Sequence, residues 1–163
     1  RLPDNLRYST VMAIAGGRGW GGADISTIVK KYGLQDRVRV LGYVSEEQLA
    51  TLYTHALFLA MPSLYEGFGL PLIEAMSRGI PVLTSNCASM PEVVGDAGIL
   101  VAPNDVDAIA KGLSELLCNT SQRSVLASRA IANSKRFCWT HAAESTMLTF
   151  VDAIAVRQSK LIK

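Results

Sequence analysis

Glu66 and Glu74 stand eight positions apart, and the segment between them, Gly67-Phe68-Gly69-Leu70-Pro71-Leu72-Ile73, places two glycines and a proline at the mouth of an apolar stretch. The glycines let a ligand approach the main chain closely and leave their N–H groups available to oxygen atoms. Pro71 suits the first position of a helix, so Leu72–Ser77 is expected to be helical, with the open amides of its first turn aimed at an anion. A carboxylate set directly against a phosphate repels it, whereas one beside it accepts hydrogen bonds from hydroxyl pairs. The pattern therefore suits a ligand carrying both an anionic group and hydroxyls. The plain alternative is a Gly-Pro turn flanked by two solvated charges, and spacing alone leaves both open.

Other candidates for chemistry are weaker. Asp105-Val106-Asp107 has the D-x-D spacing that can hold a divalent ion, but it opens an amphipathic stretch and reads better as a helix cap, so no metal site is expected. His55 and His141 lack a partner pattern and are expected to be packed or surface histidines, and Tyr65 either to pack beside the Pro62 turn or to stack on a ligand. Cys87, Cys118 and Cys138 are widely spaced and form neither a zinc pattern nor a disulfide framework, which fits a reducing cytosol.

Size and charge narrow the class further. At 163 residues and 49% hydrophobic, the chain can bury one core, which makes it a single domain. Sixteen Lys and Arg against fourteen Asp and Glu give a net charge of +2, so no nucleic-acid partner is indicated. No apolar run approaches the roughly 18 to 20 residues that span a bilayer.

The elements that must position the glutamates follow from periodicity. Apolar runs at Val11–Ala15, Val38–Leu41, Leu57–Met61, Ile80–Thr84 and Gly98–Val101 alternate with longer helical segments, which argues an α/β fold with a parallel sheet. Ser45-Glu46-Glu47-Gln48 is a capping-box pattern followed by Leu49, Leu52, Tyr53 and Ala56 on one face. Asp105 precedes a stripe of Val106, Ile109, Leu113, Leu116 and Leu117, despite Gly112 in mid-helix. Residues from about Ser121 to Ile154 read as two further helices broken near Phe137–Thr140. Parallel sheets open their crevice at the carboxyl ends of the strands, which directs attention to the loops from Gly16, Gly42, Pro62 and Ser85.

Glu66 and Glu74 with Gly-Phe-Gly-Leu-Pro between them resemble the E-x7-E motif of family 4 (group 1) retaining glycosyltransferases. The likeness extends to Val38–Val44 with Glu47–Tyr53, to Ile80–Ser85 with Pro91–Gly95, to Gly98–Pro103 with Asp107, and to Phe137-Cys138-Trp139. It implies a Rossmann-like sheet with flanking helices, the C-terminal, donor-binding half of the GT-B fold. By that resemblance Glu66 contacts the donor sugar near the diphosphate, and Glu74 holds the ribose hydroxyls. The amides of Gly67, Phe68, Gly69 and Leu70 meet sugar hydroxyls and the distal phosphate. Main-chain groups around Arg39, Tyr43 and Val44 bracket the base, and Gly16, Gly17 and Arg18 face the donor.

The implied reaction moves a hexose from a nucleoside-diphosphate sugar to a hydroxyl with retention at the anomeric carbon, with no cofactor or bound metal required. The general look of Glu66–Glu74 and Gly16–Trp20 suggests GDP-mannose as donor. The resembling domain opens with a strand and an Arg- and Lys-bearing loop that are not found here, Arg1–Asn5 reading as the tail of the helix that follows that loop. The sheet is therefore expected to lack its first strand, the chain to be a partial donor domain (residues 1–163) without the N-terminal acceptor-binding domain and inactive alone, and open edges to favour self-association. Arg157, Lys160 and Lys163 read as a solvated end, with contact to the inner face of an anionic membrane as the alternative. A non-catalytic nucleotide-sugar-binding module and a nucleotide-sugar epimerase of the same fold are the competing functions.

Overall fold

Two side chains fix where helices begin. The hydroxyl of Ser45 accepts from the Gln48 amide while the Gln48 side chain accepts from the Ser45 amide, a complete capping box. The carboxylate of Asp105 accepts from the amides of Asp107 and Ala108 at 3.0 and 2.9 Å. The computed structural model describes residues 2, 3, 5, 6, 10–17 and 24–161, the last four by backbone alone. Its elements are β1 (Met12–Ala15), α1 (Ile25–Lys31), β2 (Val38–Gly42), α2 (Glu46–His55), β3 (Leu59–Met61), α3 (Leu70–Ser77), β4 (Val82–Ser85), α4 (Met90–Val94), β5 (Gly98–Val101), α5 (Val106–Cys118), α6 (Thr120–Ser134) and α7 (Trp139–Leu161).

The α/β class with parallel pairing and flanking helices is as expected, but the strands form two sheets. β1 pairs with β2, and β3, β4 and β5 pair in that order. β1, β2, β3 and β5 each have one side without a strand partner among the described residues. Several boundaries shift. β3 starts at Leu59 rather than Leu57, because its ladder runs only from Leu59 opposite Val82 to Met61 opposite Thr84. β4 starts at Val82 rather than Ile80, and Leu59 donates to the Pro81 carbonyl just ahead of it. Helix α3 begins at Leu70, which makes Pro71 its second residue rather than its first. Of the helical tail read at Arg1–Asn5, Asn5 is helical and Leu2 and Pro3 are not, while Arg1 and Asp4 lie outside the described residues.

The core is organised about β4, whose four residues are all buried. Successive strand residues face opposite ways, so Val82 joins one apolar cluster and Leu83 another. The first gathers Leu72, Ala75 and Met76 from α3 with Met90, Val93 and Val94 from α4; the second gathers Val101, Leu116 and Leu126. Gly112 belongs to this packing. A Cβ there would sit 2.6 Å from Cδ1 of Leu83, so α5 lies against the sheet at a distance only glycine permits. Helix α7 is exposed along residues 139–157. No helix among the described residues is long and apolar enough to cross a membrane.

Candidate functional site

The loop leaving β3 crosses the carboxyl end of β4 and enters α3 at Gly69, which is buried with φ 93. That left-handed conformation suits glycine, and an added Cβ would stand 3.1 Å from Cδ1 of Leu72. No side chain caps this helix terminus. The amides of Gly67, Phe68, Gly69 and Leu70 donate to no protein acceptor among the described residues. They form a row of main-chain donors at the positive end of a helix, available to phosphate and hydroxyl oxygens.

Both glutamates are half-buried and held by hydroxyls. Oε1 of Glu66 accepts from Ser63 at 2.9 Å. Oε2 of Glu74 accepts from the phenol of Tyr53 at 3.1 Å, and that phenol also lies 3.3 Å from the Pro71 carbonyl. Burial, then the Glu74 charge and its hydrogen bond, push the Tyr53 phenol well above its usual range, with Arg78 opposing. Arg78 stacks 5.0 Å from the centre of the Tyr53 ring and donates to the Glu74 carbonyl at 2.8 Å. Each glutamate thus has one oxygen engaged by a fixed donor and the other open to a ligand.

Sequence reasoning placed Tyr53 on a helix face, named Ser85 only as the start of a crevice loop, and gave no role to Ser63, Thr84 or Ser89. The signal for Thr84 and Ser85 was available. They are polar residues at the end of a strand that is otherwise apolar, and buried polar groups need partners.

The remaining expected site residues fall on the other sheet. Gly16 takes φ 139, and its amide donates to the Gly42 carbonyl at 2.8 Å, which brings the loops after β1 and β2 together. Gly16 and Gly17 are exposed, Tyr43 is 90% exposed and Val44 is half-buried. The Arg39 guanidinium donates to the Gln35 carbonyl at 2.7 Å. Arg18 and Trp20 lie outside the described residues, as does Lys163; so does the side chain of Lys160. Among the described residues, no hydrogen bond, ion pair or ring contact joins Gly16, Gly17, Arg39, Tyr43 or Val44 to the Glu66–Glu74 segment.

Phe137 meets the ring of Phe68 edge-on with centroids 5.8 Å apart, tying the residues before α7 to the glycine loop. A cleft of about 290 Å³ runs between them, with Leu70, Ile73, Trp139 and His141 on its walls. His55 is exposed and bonded to the Thr51 carbonyl within its own helix, and Tyr65 is 79% exposed rather than packed on the Pro62 turn. Asp105 spends its carboxylate on the α5 cap, as expected.

Residues 1–133 match the family model for "Glycosyl transferases group 1". The chain is 42% identical over 146 residues to the O-antigen chain mannosyltransferase B of Escherichia coli, covering 90% of this chain and 38% of that protein. It is 34% identical over 161 residues to a D-inositol 3-phosphate glycosyltransferase of Xylanimonas cellulosilytica, covering 98% and 38% respectively. Among solved structures, sucrose-phosphate synthase of Thermosynechococcus elongatus gives a TM-score of 0.76 at 29% identity, over 88% of this chain and 38% of that one. HepE of Anabaena in complex with UDP-glucose gives 0.79 at 24% identity over 91% and 43%, a likeness of fold. The chain thus spans 38% of the length of either curated relative, and its fold is that expected of the C-terminal half of the GT-B architecture. With the family match running through both glutamates and the amide row between them, the chain belongs to the group 1 glycosyl transferases.

Proposed function

We propose that this chain is the donor-binding domain of a family 4 retaining glycosyltransferase, moving a hexose from a nucleoside-diphosphate sugar to a hydroxyl acceptor. The observation that carries the reading is the row of unpartnered amides from Gly67 to Leu70 between two half-buried glutamates. Glu74, with one oxygen held by Tyr53, offers the other to the ribose hydroxyls. Glu66 meets the donor sugar near the diphosphate, and the amides take the distal phosphate and sugar hydroxyls. Gly16 and Gly17 face the donor from the other sheet, Arg18 contacts it as well, and main chain near Arg39, Tyr43 and Val44 brackets the base.

Such a site stabilises charge developing on the leaving diphosphate through preorganised dipoles, with no residue forming a covalent bond. The mannosyltransferase relative favours mannose, and with it GDP-mannose, as the donor. The acceptor is bound by a second domain, without which residues 1–163 bind donor but do not turn over. The protein acts in the cytosol without metal, and the open edges of β1 and β3 favour association with another chain.

The test is calorimetric titration with UDP, GDP and ADP, with and without Mg²⁺, of the wild-type chain and of Glu74→Ala. One nucleotide is expected to bind, independently of metal and at least about tenfold more weakly in the variant. Well-folded protein that binds none of the three overturns the donor-site reading and leaves a scaffold without a donor site.

A further inference from the structure

Four side chains on β4 and the turn after it hold the backbone of the glutamate loop, one carbonyl after another. The Thr84 hydroxyl donates to the Met61 carbonyl at 2.8 Å, Ser85 to Ser63, and the Cys87 thiol to Leu64 at 3.4 Å. Ser89 closes the row, sharing its single proton between the carbonyls of Glu66 at 2.9 Å and Phe68 at 3.2 Å. The residue before it, Ala88, takes φ 51, an uncommon conformation for a side chain with a Cβ. It orients the turn that carries Cys87 and Ser89.

The consequence lies in the peptide planes. In a trans peptide the carbonyl of one residue and the amide of the next point opposite ways. Carbonyls 63, 64, 66 and 68 drawn toward β4 and its turn therefore turn the N–H groups of Leu64, Tyr65, Gly67 and Gly69 away from it. The glycines alone do not ensure this, because a Gly-Phe-Gly segment can flip its planes at little cost. We infer that Ser89 is a positioning residue: its hydroxyl locks the two peptide planes whose amides, from Gly67 and Gly69, grip the distal phosphate of the bound nucleotide. Thr84 and Ser85, both fully buried, anchor the start of the same loop. This inference rests on the donor-site reading above and adds to it a residue outside the E-x7-E segment.

The test separates the distal phosphate from the rest of the nucleotide. Wild-type chain, Ser89→Ala and Ser89→Thr are titrated with UDP, GDP and ADP and with the matching monophosphates. Ser89→Ala should weaken the preferred diphosphate about tenfold while leaving its monophosphate within about twofold, and Ser89→Thr should restore the diphosphate. Should Ser89→Ala fail to fold, Ser89→Cys keeps the shape with a weaker donor, and its preference for diphosphate over monophosphate must fall in the same direction. Equal weakening of both nucleotides, or an unchanged diphosphate affinity, overturns the positioning role while the donor site stands. A wild-type chain that binds no diphosphate overturns both.

Discussion

The phenol of Tyr53 reaches Oε2 of Glu74 at 3.1 Å, joining α2 to the helix that follows the glycine loop. Tyr53 is 6% exposed, so the bond is made at the margin of the core and fixes the carboxylate before any ligand arrives. Tyr53→Phe is expected to lower stability by about 1.5 kcal/mol at neutral pH, as for a lost hydrogen bond to a charged group, and to weaken nucleotide binding by freeing Glu74. Denaturant midpoints and titration of the same variant check both.

The same phenol implies a pH dependence. Burial beside Glu74 raises its pKa above the ordinary 10.0, so at high pH the folded chain retains a proton that the unfolded chain has lost. The contribution is complete below the unfolded value and declines as pH climbs past it toward the folded one. The stability gap between wild type and Tyr53→Phe should therefore hold up to about pH 10 and narrow as pH rises above it, measured by urea unfolding at each pH. A constant gap would mean that the phenol is not held in its neutral form.

Gly67 and Gly69 should respond differently to the same substitution. Gly69→Ala imposes a side chain at φ 93 and a methyl 3.1 Å from Leu72, and is expected to cost about 2 kcal/mol and to distort the amide row. Gly67→Ala meets no heavy atom within 4 Å and should leave the thermal midpoint unchanged. A loss of nucleotide affinity in Gly67→Ala alone would then report the ligand's approach to that backbone.

Asp105 offers a clean separation of cap from metal ligand. Asp105→Ala should lower stability by about 1 kcal/mol, and Asp105→Asn, which keeps an acceptor oxygen, should recover most of it. Neither should alter nucleotide affinity in the presence of Mg²⁺. A drop in Mg²⁺-dependent binding for both variants would return the D-x-D spacing to consideration as a cation site.

Gly112→Ala should push α5 off β4, with an expected loss of about 2 kcal/mol. Because the obstructing atom is Cδ1 of the fully buried Leu83, trimming it should relieve the clash. The double variant Leu83→Val with Gly112→Ala should fall short of the summed single losses, read as a coupling energy in unfolding experiments.

What was legible in the sequence was local. Ser45 and Asp105 could be read as caps because a cap and its amides lie within three residues, and Glu66, Gly67, Gly69 and Glu74 declared themselves through one short segment. The hydroxyls that hold them were not legible. Tyr53 lies 21 residues from Glu74 and Ser89 lies 23 from Glu66; the first pair exists only once two helices meet, the second only once β3 and β4 are paired. Strand limits failed for a related reason. Leu57 and Phe58 are as apolar as Leu59, but only Leu59 finds a ladder partner, in Val82. The division into two sheets was similarly hidden, since apolar runs announce strands without naming their neighbours.

The uneven distribution of the core has a dynamic consequence. Among the described residues, Val29 is the one buried hydrophobic residue from the β1–α1–β2 portion, and the others lie from Tyr53 onward. Amides in β4 should exchange with solvent only when the whole molecule unfolds, whereas those of β1 and β2 can exchange through partial opening at far smaller free energy. The chain would thus behave as a rigid cassette bearing the two glutamates, joined to a breathing one bearing Gly16 and Tyr43. Ligand ordering of that second cassette would appear as slowed exchange in β1 and β2 and as a heat-capacity change larger than the glutamate loop alone could produce.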